Sequence, residues 1–252
     1  MNFSSKKVLL TGGNGTLGSQ IIQSKYFDHL LAPTKQRLDI TQSASIDDYF
    51  FHNNFDIVIH CAALARMARC EENPIEAIRT NINGTSNLVS SIMKIEEKKE
   101  KKIRFIHIST DGVYSSKKGN YSEKSATIPY NNYGWSKLGA ECAVRLLSDY
   151  VIIRTRFFNP FNILFDNSAI DIITSSIQLN ELVEAIHFLL NSKFIGTVNV
   201  GSRKMSEFDR YKKHKPSLKP CNRNDITKNL NYEIAKDATM DCNLWLTLKE
   251  KK

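Results

Sequence analysis

The sequence predicts an α/β protein built on a doubly wound parallel sheet. Short apolar runs alternate with longer helical patterns through the first 156 residues, and a glycine-rich turn joins the first run to the first helix. Parallel strands joined by crossover helices produce this alternation. The chain has 252 residues, of which 41% are hydrophobic and 24% are charged. This composition is typical of a globular protein with one large core.

The individual elements follow from apolar periodicity and from the residues that start and stop helices. Strands are predicted at residues 7–11, 30–32, 56–60, 104–109 and 151–154. Helices are predicted at residues 16–25, 43–51, 74–99 and 131–147, and Pro74 suits the first turn of the third. Beyond Arg156 the pattern loosens to a helix at 179–191, a strand at 196–200 and a turn-rich remainder. We therefore expect two domains, a sheet domain at 1–156 and a smaller C-terminal lobe at 157–252.

Composition disfavours several classes of protein. No apolar stretch approaches the roughly 18 residues of a membrane span, and the first apolar run is too short for a secretory signal. The five cysteines are odd in number and form no C-x-x-C pair. Neither a disulfide framework nor a zinc site is indicated by this pattern. We expect a cytoplasmic protein that binds no metal.

The basic charge is concentrated near the C-terminal end. The formal net charge is +9, and residues 203–252 carry 13 Lys and Arg against 7 Asp and Glu. This excess indicates either a solvated tail or a site for a phosphate-bearing partner, with Arg203 and Lys204 as candidates for a diphosphate contact. The basic residues lack the aromatic interleaving of a surface that stacks single-stranded bases. No nucleic-acid partner is expected.

Gly12, Gly15 and Gly18, spaced G-x-x-G-x-x-G, follow the first predicted strand and open the first predicted helix. Side chains at these positions would block a tight turn, the approach of a pyrophosphate to backbone N–H groups, and close packing of the helix on the strand. The helix N-terminus adds free N–H donors and the positive end of the helix dipole. The turn therefore predicts a dinucleotide site. Its predicted contacts are Gly12, Asn14, Gly15, Thr16, Leu17 and Gly18.

The end of the second strand indicates which dinucleotide is bound. In such folds an acid about 20 residues after the turn binds the ribose 2′-hydroxyl of NAD, whereas a basic residue accommodates the 2′-phosphate of NADP. Here Lys35 and Arg37 precede the first acid, Asp39. We expect NADPH as the cofactor; NADH is the alternative if the basic loop is merely solvated.

A second group of reactive residues lies where the fourth strand ends and the next long helix begins. Tyr133 and Lys137 are four apart and share a helix face, and Thr110 follows a strand at the edge where ligands of open α/β sheets bind. A neutral Tyr133 can donate its proton to a carbonyl oxygen as hydride reaches the carbon. We expect Lys137 to lower the phenol pKa and to anchor the cofactor ribose, and Thr110 to hold the substrate oxygen. A Tyr-x-x-x-Lys pair alone is more often an ordinary helix face, so this assignment depends on the combination of the pair with the other motifs.

Together the motifs resemble those of the extended short-chain dehydrogenase/reductases, and within them the dTDP-4-dehydrorhamnose reductase family of sugar-nucleotide-binding proteins. The matching motifs are TGGNGTLG, LDIT, DIVIHCAA, NINGTSNL, STDGVY, YGWSKLGAE and SSIQLNELVEAIHFLL. The resemblance implies a Rossmann fold and NAD(P)H-dependent reduction of a 4-keto group on a nucleotide-activated deoxysugar. The catalytic residues that it implies are Thr110, Tyr133 and Lys137. The further cofactor contacts that it implies are Asp39, Ile40, Ala62 and Ala63, with Tyr133 and Lys137 beside the nicotinamide.

Other functions stay open at this stage. Nucleotide-sugar epimerases and dehydratases resemble this family and share its trio, although the dehydratases carry an acidic pair after the catalytic Thr, where this chain has Asp111 and Gly112. A non-catalytic, cofactor-binding regulatory subunit is a further alternative, because the portion between RTRFF and SSIQLNELV is short against the family. The expected partners are a nucleotide-sugar substrate and a second copy of the chain in a homodimer, without a membrane or nucleic acid.

Overall fold

The computed structural model describes residues 6–228 and 230–250. Its strands are β1 Val8–Thr11, β2 Leu30–Leu31, β3 Ile57–His60, β4 Arg104–Thr110, β5 Tyr150–Thr155, β6 Phe157–Phe158, β7 Asn167–Ala169, β8 Ile173–Thr174, β9 Ile177–Gln178, β10 Gly196–Val200, β11 Met205–Ser206 and β12 Lys219–Cys221. Its α-helices are α1 Thr16–Gln23, α2 Ser43–His52, α3 Met67–Glu72, α4 Pro74–Ala77, α5 Gly84–Lys99, α6 Asn132–Val144, α7 Leu179–Asn191, α8 Glu207–Lys212, α9 Arg223–Thr227 and α10 Asn243–Glu250. A π-helical segment, Ile78–Asn83, joins α4 to α5, and a 3₁₀ turn, Asp111–Val113, follows β4.

Six strands form one parallel sheet in the order β2-β1-β3-β4-β5-β10. The chain leaves β1 toward β2 and then returns to β3 on the other side of β1. In such a sheet the crevice for a ligand lies outside the carboxyl ends of the strands at this change of direction. The predicted doubly wound α/β fold is confirmed.

Separate cores cover the two faces of the sheet. In β3, Ile57 and Ile59 join one cluster, which α1, α7 and Trp245 of α10 complete. Val58 joins the other cluster, which includes residues of α2 and α5 and the end of α6. Burial on both faces explains why the sequence shows nearly continuous apolar runs at the strands instead of strict alternation.

Within the first 156 residues, two helical features differ from the predicted pattern. The helix predicted at 74–99 is broken into α4, the π-helical segment and α5. A π-helical turn carries an extra residue and is often found at functional sites, and here it contains the buried Asn81. The short helix α3 was not predicted, because its six residues are too few to show a periodic apolar face.

The chain after residue 156 contributes both to the six-stranded sheet and to the smaller strand pairs outside it. β10 is the sixth strand of the sheet and α7 packs in its first core. Three two-stranded pairs lie outside the sheet, namely β6 with β9, β8 with β11, and β7 with β12. The division into domains at 1–156 and 157–252 stays a prediction. If domains were assigned by contact with the sheet, α7 and β10 would belong to the larger one. In the described ranges, no helix has the length and apolar content needed to cross a membrane.

Candidate active site

The glycine turn after β1 is packed too closely for side chains at two of its positions. Gly12 has a φ of +76°, and a Cβ on it would lie 2.5 Å from the Ala62 nitrogen. A Cβ on Gly18 would lie 2.2 Å from the Gly12 oxygen, so α1 packs on the turn because position 18 has no side chain. Gly15 differs, since a Cβ there would meet the Gly12 oxygen at an ordinary 3.4 Å. The bare backbone of Gly15 instead borders open space at the start of α1.

Two cavities meet at this turn and form one groove across the carboxyl ends of the strands. The first has a volume of about 310 Å³ and extends past the end of β2; the predicted contacts that line it are Gly12, Asn14, Gly15, Lys35, Asp39, Ile40, Ala62 and Ala63. The second has a volume of about 380 Å³ and extends toward β4 and α6; the predicted residues that line it are Gly12, Gly15, Thr16, Leu17, Gly18, Ala63, Thr110, Tyr133 and Lys137. Because Gly12, Gly15 and Ala63 border both cavities, the groove is continuous at the turn.

The end of β4 and the start of α6 bring the predicted trio together. Thr110 is the last residue of β4, and its hydroxyl donates to Asp111 Oδ1 at 3.1 Å and accepts the Gly112 N–H at 3.1 Å. Tyr133 and Lys137 lie one turn apart on α6 and line the same cavity as Thr110. The fold therefore places the hydroxyl, the phenol and the ammonium around one space.

The first turn of α6 is fixed against the turn that follows β4. Asn131 caps the helix, and its Oδ1 accepts the Gly134 N–H at 2.8 Å. A Cβ on Gly134 would lie 2.3 Å from the Gly112 oxygen, so the two backbones touch. This contact holds Tyr133 next to Thr110.

Burial controls the protonation of Tyr133 and Lys137. Burial raises the pKa of the Tyr133 phenol, the Asp111 carboxylate raises it further, and a hydrogen bond with Thr110 opposes the rise. Burial lowers the pKa of Lys137 to about 8, although Glu141 acts in the opposite direction. The prediction that the Tyr133 pKa is lowered is wrong for this structure, because desolvation and Asp111 outweigh the lowering effects of Thr110 and Arg156.

A charged cluster that the sequence analysis missed borders the groove near Tyr133. Arg156 lines the second cavity, and its Nε donates to Asp111 Oδ2 at 2.6 Å. Its Nη1 lies 3.6 Å from Glu207 Oε1. Glu207 comes from α8, which sequence reasoning treated as part of a solvated tail. Two carboxylates beside one guanidinium leave this end of the groove without excess positive charge.

A second missed network lies beneath α6. Glu141 is fully buried, and its carboxylate accepts Arg154 Nη2 at 2.6 Å, Arg154 Nε at 3.0 Å and the Ser109 hydroxyl at 2.6 Å. Ser109 lies on β4 and Arg154 on β5. The bidentate ion pair therefore ties α6 to two strands and fixes Lys137, one turn before Glu141, relative to Thr110.

His60 is a buried structural residue and a neutral one. The Thr11 hydroxyl donates to His60 Nδ1 at 2.7 Å, and His60 Nε2 donates to the Thr85 hydroxyl at 3.0 Å, because Thr85 itself donates to the Asn81 oxygen at 2.6 Å. Burial lowers the pKa of His60 to about 3. The Thr11 hydroxyl also accepts the Ala62 N–H at 3.4 Å. This chain of hydrogen bonds holds the segment after β3 beside the first cavity.

Asn81 joins that same segment to α6. Its side chain accepts the Leu64 N–H at 2.7 Å and donates to the Leu64 oxygen at 3.1 Å and to the Ser136 hydroxyl at 2.8 Å. Ser136 in turn donates to the Tyr133 oxygen at 2.8 Å. The π-helical segment thus connects the two cavity walls through one amide side chain.

Not every predicted binding residue reaches the groove. Lys35 lines the first cavity 3.9 Å from Asp39, whereas Arg37 is exposed and does not line it. Arg203 and Lys204 line a different groove of about 910 Å³ beside α7 and α10, so the structure does not support them as diphosphate contacts in the Tyr133 groove. In the part of the chain that the structure describes, no group of His, Cys, Asp or Glu is arranged to hold a metal ion.

The parallel sheet, the glycine turn and the groove over Tyr133 define a Rossmann-type protein of the short-chain dehydrogenase/reductase class. The model of the RmlD substrate binding domain matches residues 6–160, more than half of the chain. The chain belongs to this family.

Two of the relatives that this chain resembles are named as reductases. The probable low-salt glycan biosynthesis reductase Agl14 of Haloferax volcanii is 33% identical over 162 residues, which are 59% of this chain and 52% of that protein. The dTDP-4-dehydrorhamnose reductase of Mycolicibacterium smegmatis is 30% identical over 160 residues, which are 62% of this chain and 46% of that protein. The chain spans about half the length of the curated relatives that it matches.

A solved structure shows the same fold over most of its length. The dTDP-4-dehydrorhamnose reductase of Bacillus anthracis, in complex with NADP, superposes with a TM-score of 0.84 at 23% identity. The superposition covers 98% of each chain. The C-terminal elements of this protein therefore have counterparts in that structure.

Proposed function

We propose that this protein is an NADPH-dependent reductase that reduces the 4-keto group of a nucleotide-activated deoxysugar. The observation that carries the proposal is the convergence of Thr110, Tyr133 and Lys137 on the groove that begins at the glycine turn. The names of the curated relatives support the substrate class, and the NADP complex of the Bacillus anthracis reductase supports the cofactor.

The groove has the features that a dinucleotide requires. The close backbone contacts at Gly12 and Gly18 leave no room for side chains, and Gly15 presents bare backbone beside the N-terminus of α1. We assign the pyrophosphate to this turn, and the 2′-phosphate of NADPH to Lys35. The other assigned contacts are Asn14, Thr16, Leu17, Asp39, Ile40, Ala62 and Ala63. When bound, NADPH supplies the hydride that reaches the carbonyl carbon.

The side chains of the trio manage the proton and the substrate oxygen. Because its pKa is raised, the Tyr133 phenol keeps its proton at neutral pH, which is the state needed to protonate the C4 oxygen during reduction. Thr110 lines the same cavity, and its hydroxyl holds the same oxygen once its proton turns from Asp111, which accepts it at 3.1 Å, toward the substrate. Lys137, with a pKa of about 8, is a cation at neutral pH, and we assign to it the role of anchoring the cofactor ribose.

NADPH consumption with a panel of dTDP-, UDP- and GDP-4-keto-sugars tests this proposal. Tyr133→Phe keeps the ring and removes the proton donor, so turnover should fall by at least about 100-fold while NADPH affinity is unchanged. A wild-type protein that oxidises no NADPH with any member of the panel contradicts the proposal, and so does a Tyr133→Phe variant with full turnover.

The same panel, extended by the parent dTDP-, UDP- and GDP-sugars with a free 4-hydroxyl, separates the other activities that the motifs leave open. An epimerase or dehydratase would convert a nucleotide sugar without net consumption of NADPH. A regulatory subunit would bind NADPH, consume none and release no product. Product analysis by chromatography beside the absorbance assay therefore distinguishes the three outcomes.

We also propose the organisation and setting of the enzyme. Residues 1–156 bind the cofactor and 157–252 complete the substrate side, with Arg156 at the junction in the second cavity.

The outer face of α6 supports a homodimer, since Trp135 is 53% exposed and Leu146, on the turn that follows α6, is 70% exposed; sedimentation velocity tests this. Five free cysteines support a cytoplasmic location.

A further inference from the structure

The loop between β6 and β7 presents apolar side chains to solvent. Phe161 is 96% exposed and Leu164 is 85% exposed; these two residues are called the apolar tip. The base of the loop is fixed, because Lys215 Nζ donates to the Phe165 oxygen at 2.7 Å and to Asp166 Oδ1 at 2.8 Å. The Phe165 ring also packs edge-on against Tyr211, with a centroid distance of 5.0 Å. The apolar tip is therefore held out on a well-anchored loop.

A lysine-rich turn lies against the base of this loop. Residues 212–219 join α8 to β12 and contain four lysines, while Asp166 is the one acidic residue in the sequence of loop 159–167. The Lys219 N–H donates to the Asp166 oxygen at 2.9 Å, and Lys219 pairs in register with Asn167. Lys213 and Lys219 are exposed. Lys213, Lys215 and Lys219 are called the basic collar.

The chemistry of the tip and collar favours a lipid surface over a protein partner. Two projecting side chains offer far less area than the roughly 800 Å² per partner of a stable protein interface. Protein interfaces are depleted in Lys and enriched in Arg, Tyr and Trp, whereas turn 212–219 contains four Lys and no Arg, Tyr or Trp. Apolar side chains that enter the boundary between headgroups and acyl chains, flanked by lysines that attract anionic lipids, are the features of interfacial membrane binding.

We propose that loop 159–167 docks this protein reversibly on an anionic membrane surface through the apolar tip and the basic collar. The prediction of no membrane partner was based on the lack of a spanning segment, and surface docking requires none. Lys213 and Lys219 each strengthen binding by about five-fold near an anionic surface, whereas Lys215 is paired with Asp166. The interaction is weak and sensitive to salt, because the electrostatic part falls off within a Debye length.

Sedimentation with lipid vesicles tests the proposal on the full chain. Vesicles of phosphatidylcholine alone are compared with vesicles in which one third of the lipid is phosphatidylglycerol, at low and high salt. The wild-type protein should sediment with the anionic vesicles at low salt and stay in solution otherwise. Phe161→Asn/Leu164→Asn should weaken binding, and Lys213→Glu/Lys219→Glu should weaken it by at least about 25-fold.

Matched variants elsewhere on the surface provide the control. Phe51→Asn changes a phenylalanine that is 82% exposed on α2, and Lys98→Glu/Lys99→Glu makes the same charge change at the end of α5. These controls should bind vesicles like the wild type. Equal binding to both kinds of vesicle, tip variants that bind like the wild type, or controls that lose as much binding would each overturn the proposal. Tip-dependent self-association without lipid would overturn it in favour of a protein interface.

The docking proposal stands apart from the proposed reductase activity. Neither the apolar tip nor the basic collar lines the groove that holds Thr110 and Tyr133. NADPH affinity, measured for each variant, should therefore match the wild type. Loss of vesicle binding with unchanged NADPH affinity isolates the docking surface, whatever the substrate assays show.

Discussion

Replacement of Glu141 by Gln should destabilise the protein by about 3–5 kcal/mol, because it leaves the Arg154 guanidinium buried without a counter-charge. The side chains of Glu141 and Arg154 are 0% and 2% exposed, so water cannot compensate either group. Both carboxylate oxygens of Glu141 accept hydrogen bonds from Arg154, at 2.6 and 3.0 Å, and one also accepts from Ser109. A glutamine has the same shape, but its amide nitrogen would face donors. The variant therefore loses at least one hydrogen bond as well as the attraction between charges.

Urea denaturation followed by circular dichroism measures this loss. Total stabilities of single domains are about 5–15 kcal/mol, so the midpoint should fall by a large fraction while the slope stays the same. The double variant Glu141→Leu/Arg154→Met removes both charges and should recover part of the loss, since apolar pairs can replace buried ion pairs. A Gln variant that loses less than about 1 kcal/mol, or a double variant less stable than the single one, would refute the reasoning.

Three further predictions concern the groove. Lys137→Met should abolish turnover yet raise the free energy of unfolding at pH 7 by up to about 3 kcal/mol, because burial lowers the lysine pKa from 10.5 to about 8. Between pH 8 and 10.5 the unfolded chain binds one more proton than the folded one, so the free energy of unfolding of the wild type rises with pH. Urea denaturation at pH 7 and pH 10.5 should therefore show that the stability difference between the variant and the wild type disappears at the higher pH. A Met variant that is less stable than the wild type at pH 7 contradicts this. Gly18→Ala should lower the melting temperature, because its Cβ would lie 2.2 Å from a carbonyl oxygen. Gly15→Ala should keep the melting temperature of the wild type and weaken NADPH binding in a fluorescence titration. Equal melting temperatures for the two variants would contradict this prediction. In steady-state kinetics, Lys35→Ser should raise the KM for NADPH and leave the KM for NADH unchanged, because Lys35 lines the first cavity. Arg37→Ser is the control and should change neither KM. Equal effects from the two variants would show that Lys35 does not select the 2′-phosphate.

Much of the sheet could be predicted because its strands are short apolar runs with turn residues at both ends. The helix at 179–191 and the strand at 196–200 match α7 and β10 as observed. The glycine turn was equally legible, since Gly12 has a φ of +76° and Gly18 packs on the Gly12 oxygen six residues earlier. Local sequence carries this information because the physical cause is local.

The charged partners of the site could not be predicted in the same way. Arg156 and Glu207 lie 3.6 Å apart across a long chain separation, and α8 has too few residues to show a period. The π-helical turn was hidden as well, because one extra residue shifts the apolar face without interrupting the helical composition. Its consequence, the inward Asn81, depends on α6 packing beside it.

The error over Tyr133 shows why residue chemistry alone does not fix the state of a buried group. The sequence placed a cation one turn from the phenol, from which a lowered pKa follows if both groups are in water. In the folded protein the phenol is buried beside the Asp111 carboxylate, and both effects favour the neutral form. A phenol that retains its proton is suited to give it to a carbonyl oxygen, whereas oxidation of an alcohol would require the phenolate. The burial that raises the Tyr133 pKa therefore leaves the phenol protonated, which is the state that proton donation to a carbonyl oxygen requires.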